Sequence, residues 1–100
     1  MEAHLPVSAP EAADICRRAL LERGCQIEIL TEERIKARAP GSLIRKYVAY
    51  ELELAEGRDD GTVVRIATWT SNLFSTPNDL VGRAARELQQ TLLYESSRRA

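Results

Sequence analysis

Two periods run along the chain, 3.6 residues near either end and 2 in the middle. In the first segment Ala12, Ile15, Cys16, Ala19 and Leu20 recur at helical spacing, while Asp14, Arg17, Arg18 and Glu22 take the opposite face. Ser8-Ala9-Pro10-Glu11 reads as a capping box, with Ser8 as N-cap and Glu11 at N3. Gly24 supplies the left-handed residue that closes such a helix. The pattern predicts a helix over 9–23.

From Cys25 onward the period is 2. Cys25, Ile27 and Ile29 alternate with Gln26 and Glu28, and Ile35, Ala37 and Ala39 alternate with Arg34, Lys36 and Arg38. Pro40-Gly41-Ser42 ends the second of these runs. In a third run Val48, Tyr50, Leu52 and Leu54 stand against Tyr47, Ala49, Glu51 and Glu53. Gly57-Arg58-Asp59-Asp60-Gly61 reads as a flexible hairpin loop. Val64, Ile66 and Thr68 then alternate with Val63, Arg65, Ala67 and Trp69 in a fourth strand over 62–70. Helical spacing returns after Thr76, an N-cap, and Pro77 at N1. Leu80, Val81, Ala84, Ala85, Leu88, Leu92 and Tyr94 form its apolar stripe, and 96–100 reads as a frayed tail.

Short connections turn four such strands into an antiparallel meander, and two amphipathic helices are available to cover one face. The expected fold is α+β: a two-layer sandwich of α-β-β-β-β-α order, a single domain over 1–100 with its ordered core at about 8–95. His4 falls in the segment before that core and reads as part of a mobile N-terminus.

Composition narrows the function classes. Hydrophobic residues make up 44% and charged residues 29%, with 14 basic against 15 acidic side chains and a net charge of −1. That balance lacks the excess of cations on which non-specific nucleic-acid or membrane-surface attraction depends. The N-terminus has neither the basic nor the apolar region of a secretory signal, and no run nears the roughly 20 apolar residues a bilayer requires. Taken as a whole protein, the chain is expected in the cytoplasm. Cys16 and Cys25 are separated by about eight helical residues, roughly 12 Å, beyond the span of a disulfide; two free thiols fit a reducing compartment.

The outward strand residues are Gln26 and Glu28, then Arg34, Lys36 and Arg38, then Glu51 and Glu53, then Arg65. Charge sign therefore alternates from strand to strand, which favours cross-strand pairs. A solvated sheet face has this pattern. Beside the charges, Trp69, Val63, Ala67, Tyr47 and Ala49 form a modest apolar patch on two neighbouring strands, and an exposed tryptophan is a good anchor for a partner. The expected function is a non-catalytic interaction domain, a homodimer joined through the open face at Trp69, Tyr47, Val63, Ala67, Arg65 and Glu51. A shift of register would instead turn Trp69 into the core. Glu51 and Glu53 in mid-face would repel phosphates, which argues against an RNA-binding sheet.

The alternative site is one end of the domain. A meander brings the loops after the second and fourth strands together with the start of the last helix. Ser42, Arg45, Lys46 and Thr76 meet there and could hold an anion or small ligand, although Asp79 and ordinary cap chemistry compete for the same donors. No metal-ligand spacing, nucleophile elbow or Gly-rich phosphate loop occurs, so neither enzyme activity nor a cofactor is expected.

Ala19-Leu20 before Gly24, Ile35 and Ala37 before Ser42-Leu43, Val48 to Leu54, and Thr62 to Ile66 before Ser71 give the run from Ala13 to Leu93 a resemblance to small uncharacterised bacterial domains built as helix, four-stranded meander and helix. The resemblance implies that fold and brings no active-site residues with it. Where such domains tend to place a glycine soon after Ser-Leu, this chain has Ile44, Arg45 and Lys46.

Overall fold

In the computed structural model, which describes residues 1–39, 48–70 and 78–99, the chain runs through β1 (Glu2–Leu5), α1 (Ala9–Glu22), β2 (Gln26–Leu30), β3 (Arg34–Ala39), β4 (Val48–Glu56), β5 (Thr62–Thr70) and α2 (Asn78–Arg99). The class is α+β, with one antiparallel sheet and both helices packed on it. The sheet has five strands in the order β1-β5-β4-β3-β2, one more than the four that periodicity predicts. The added strand is the N-terminal segment. Glu2 pairs with Arg65, Ala3 with Val64, His4 with Val63 and Leu5 with Thr62. His4 thus belongs to an edge strand and not to a loose terminus. Ala3 and Leu5 join the core, and the Thr62 hydroxyl, itself buried, donates to the Val7 carbonyl at 2.9 Å.

β1 and β2 lie at opposite edges, so α1 carries the chain across the whole inner face. Its buried residues, Ala12, Ala13, Ile15, Cys16, Ala19 and Leu20, are those the helical spacing selects. Gly24, with φ +78°, closes it: the Cys25 amide donates to the Leu20 carbonyl and the Gly24 amide to the Leu21 carbonyl, both at 3.0 Å. This is the paired bonding of a Schellman motif. The start differs from the capping box. Ser8 is extended and its side chain makes no capping bond; its carbonyl accepts from the Ala12 amide at 2.8 Å, and the proline in the first turn has no N–H to satisfy.

β3 and β4 pair from Arg34↔Glu53 to Ala39↔Val48, and β4 and β5 from Val48↔Thr70 to Glu56↔Thr62, without a slip. Their inward residues, Ile35, Ala37, Tyr50, Leu52, Leu54, Val64 and Ile66, pack against Ala85, Leu88 and Leu92 of α2 and the apolar face of α1. In β2 the alternation fails. A bulge between Ile27 and Ile29 brings Ile29 opposite Lys36, so Ile29 leaves the inner face and is exposed.

The C-terminal helix runs further than a frayed tail allows. Ser96 is 0% exposed, its hydroxyl bonded to the Leu93 carbonyl, and Arg99 reaches Asp14 of α1. Tyr94, placed in the stripe by spacing, is 61% exposed and lies under the Arg98 guanidinium. The step from Leu92 to Ser96 is one turn, so the small serine and not the tyrosine continues the buried line. Among the described residues no helix is long and apolar enough to cross a membrane.

Candidate functional site

With both helices on one face, the other face of the sheet is built, among the described residues, by the alternate residues of its strands. Register fixes their rows. One row runs Trp69, Ala49, Arg38, Gln26 across β5, β4, β3 and β2; a second runs Glu2, Arg65, Glu53, Arg34 across β1, β5, β4 and β3; between them Ala67 stands beside Glu51 and Lys36. The sign of charge in the second row is −, +, −, +.

Trp69 is on this face. It is 37% exposed, while its partner Ala49, flanked on the other side by Arg38, is only 6% exposed and lies outside the main core. A methyl group between two long side chains is shielded by them, so Trp69 and its neighbours form the apolar end of the face. Val63, Ala67, Arg65 and Glu51 share the face as the spacing predicts. Tyr47, and the loop-end residues Ser42, Arg45, Lys46 and Thr76, lie outside the described residues.

The charges are joined by ion pairs. Arg34 Nε donates to Glu51 Oε1 at 2.7 Å, one register step off its direct partner Glu53. Arg65 Nε donates to Glu2 Oε1 at 3.2 Å, and Arg38 lies 3.5 Å from Glu28 at the bulge. Each pair is partly solvated, which limits its worth to well under about 1 kcal/mol. Their collective effect is to lay the long side chains across the sheet.

Over the second row the surface sinks into a depression of about 630 Å³, lined by Glu2, His4, Glu33, Arg34, Glu53, Glu56 and Arg65 with Ala55 and Val63 at its apolar wall. A smaller hollow of about 310 Å³ adjoins it and shares Glu2, Glu53 and Arg65. Four carboxylates against two guanidiniums make the larger one a poor receptor for a phosphate or any free anion. Among the described residues no group of three His, Cys, Asp or Glu side chains is placed to hold a metal ion.

The thiols are buried away from this face. Desolvation pushes the Cys16 thiol up to about 12, and it raises Cys25 as well, with the Arg23 guanidinium partly opposing it there. Both are therefore neutral and poor nucleophiles at physiological pH. Both are free.

Sequence reasoning missed two parts of the surface. Glu2 and His4 belong to the face because β1 pairs with β5, and the alternation Glu2-Ala3-His4-Leu5 is the signal for it. Ile29, turned outward by the bulge, and Leu30, opposite Ile35 on the helix side, are both exposed at the β2 edge, and no residue type in Gln26–Leu30 announces the bulge. No known family model matches the sequence, and no curated protein is significantly similar to it.

Proposed function

We propose that this chain is a non-catalytic interaction domain that pairs with a second copy of itself through the open face of its sheet. The observation that carries the reading is Trp69: a large aromatic side chain, 37% exposed beside Ala67 on a face that none of the described elements covers. Tryptophan is the residue most enriched at the energetic centre of interfaces, because it buries a large area with little loss of side-chain freedom. The five strands have four, nine, nine, six and five residues, and at about 3.4 Å per residue and 4.8 Å between strands they cover roughly 540 Å² in plan. That is below the roughly 800 Å² per partner of a standard stable complex and within the range of smaller, weaker ones. Two buried free thiols support a reducing, cytoplasmic setting for the reading.

The test is the mass in solution of the wild type and of Trp69→Glu, by light scattering and native mass spectrometry. The wild type is expected at twice 11.2 kDa and the variant at the monomer mass with an unchanged circular dichroism spectrum. A monomeric wild type, or a variant that stays dimeric, overturns the reading. The alternative of anion binding at the loop end rests on Ser42, Arg45, Lys46 and Thr76, and no observation on the described residues favours it.

A further inference from the structure

Resting on that reading, we infer that the two copies meet sheet to sheet about a two-fold axis that runs parallel to the strands, between β4 and β5. The row Glu2, Arg65, Glu53, Arg34 is carried by four adjacent strands and changes sign at every step. A row of the form −+−+ becomes its own complement when turned over about its midpoint. That midpoint lies between Arg65 on β5 and Glu53 on β4. Rotation about an axis through it, along the strands, sets Arg65 of one copy opposite Glu53 of the other and Glu2 opposite Arg34, each contact occurring twice as a two-fold interface requires.

The same rotation settles the apolar rows. Each residue of β5 faces the β4 residue of its own row, so Trp69 faces Ala49 and Val63 faces Ala55. Large meets small in both: the exposed Ala55 leaves room for Val63, while at the other pair Ala49 is already covered by its own Trp69 and Arg38, so the two indoles meet side by side over those side chains. The other in-plane two-fold, with its axis along the charged row, stacks Glu2 on Glu2 and Arg65 on Arg65. Like charges brought face to face oppose assembly. The observations thus select one of two ways to place the faces together, with the strands of the two sheets near alignment, the common packing for sheets face to face.

The decisive experiment is a charge swap between two separately made variants, Arg65→Glu and Glu53→Arg, with folding checked by circular dichroism. In either alone the axis opposes like charges twice, and the dissociation constant is expected to rise by about a hundredfold or more. An equimolar mixture sets Glu at 65 against Arg at 53 and returns every facing pair to opposite sign. Native mass spectrometry should then show a heterodimer that forms at wild-type concentrations. The double variant Arg65→Glu with Glu53→Arg should dimerise with itself. Glu2→Arg and Arg34→Glu repeat the test at the outer pair, should one of the first variants fail to fold. Single variants that dimerise as well as the wild type, or a mixture that remains monomeric, overturn the arrangement while leaving self-association through Trp69 intact. A wild type that is monomeric, or unaffected by Trp69→Glu, overturns the underlying reading as well.

Discussion

Asp14 on α1 accepts from the Arg99 guanidinium of α2 at 3.2 Å across 85 residues of chain, and it holds Arg17 at 3.0 Å and Arg18 at 3.3 Å as well. One carboxylate thus ties its own helix turn to the last turn of the other helix. The Arg17 hydrogen bond is the largest influence on Asp14 and draws its carboxyl below the ordinary 3.8; desolvation opposes this, and Arg99 and Arg18 assist. A depressed pKa contributes stability above the unfolded value that is lost as pH falls through the folded one. Asp14→Asn is therefore expected to be less stable than wild type at pH 7, by about 0.5–1 kcal/mol for such a solvated network. The difference should narrow as the pH drops below 3.8. Urea unfolding of both proteins at pH 7 and pH 3 checks it: an equal difference at both values assigns the effect to something other than the charge.

The N-terminal strand is part of the core and not an appendage. Leu5 is 1% exposed between the sheet and the helices, and the Gln89 side-chain amide donates to the Glu2 carbonyl at 2.6 Å, fastening β1 to α2. Truncating a fully buried leucine costs about 2–5 kcal/mol through lost transfer energy and the cavity left behind. Leu5→Ala is expected to lower the melting temperature by more than about 8 °C in a domain of this size. Met1→Ala, at an exposed side chain, should have almost no effect. A loose N-terminus would leave both variants at the wild-type melting temperature.

Much of this fold is legible in the order of the residues, and the exceptions have physical causes. α1, β3, β4 and β5 read correctly because their periods extend over six residues or more, and Gly24 marks its stop by the one backbone conformation other residues avoid. β1 has four residues, two of them apolar, too few to separate a strand from a loop; only the free edge of β5, known once the sheet is assembled, makes it pair. Ile29 follows the alternation in sequence and breaks it in space because a bulge adds a residue without any local cost that composition records. The outer face was legible as a set of residues, Trp69, Val63, Ala67, Arg65 and Glu51 among them. Its rows were not, since which charge stands beside which is decided by register.

The β4–β5 hairpin turns on Asp59 and Asp60, both at positive φ, 54° and 62°, with the Gly61 amide donating to the Arg58 carbonyl at 2.9 Å. Two successive left-handed residues are the mark of a type I′ turn, whose twist suits the strands and whose second position favours glycine. Asp60→Gly should stabilise the protein by about 0.5–1 kcal/mol. The neighbouring position behaves oppositely. A Cβ on Gly61 would lie 2.7 Å from the Leu5 carbonyl oxygen and 3.0 Å from that of Arg58. Both are backbone atoms that cannot swing aside, so Gly61→Ala should destabilise by about 1–3 kcal/mol. Thermal unfolding of the two variants should bracket the wild type; shifts of the same sign would mean the turn is not the one described.

Cys16 lies at 0% exposure on the inner face of α1, and its thiol, desolvated, is pushed up to about 12 from 9.0. The unfolded chain ionises above about 9 while the native protein holds its proton to a much higher pH, so unfolding releases a proton across that window. Stability contributed by the neutral thiol is complete below 9.0 and is lost as pH rises toward about 12. Cys16→Ala removes the group that titrates. It should cost about 1 kcal/mol at pH 7, since the sulfur's volume is left unfilled, and its stability should fall less steeply than the wild type's from pH 9 to pH 11. Under native conditions at pH 8 neither thiol should react readily with a disulfide reagent, Cys25 being buried and raised by desolvation too, whereas in strong denaturant two equivalents should be released. Fast reaction of one thiol in the native state would show that its surroundings open without global unfolding.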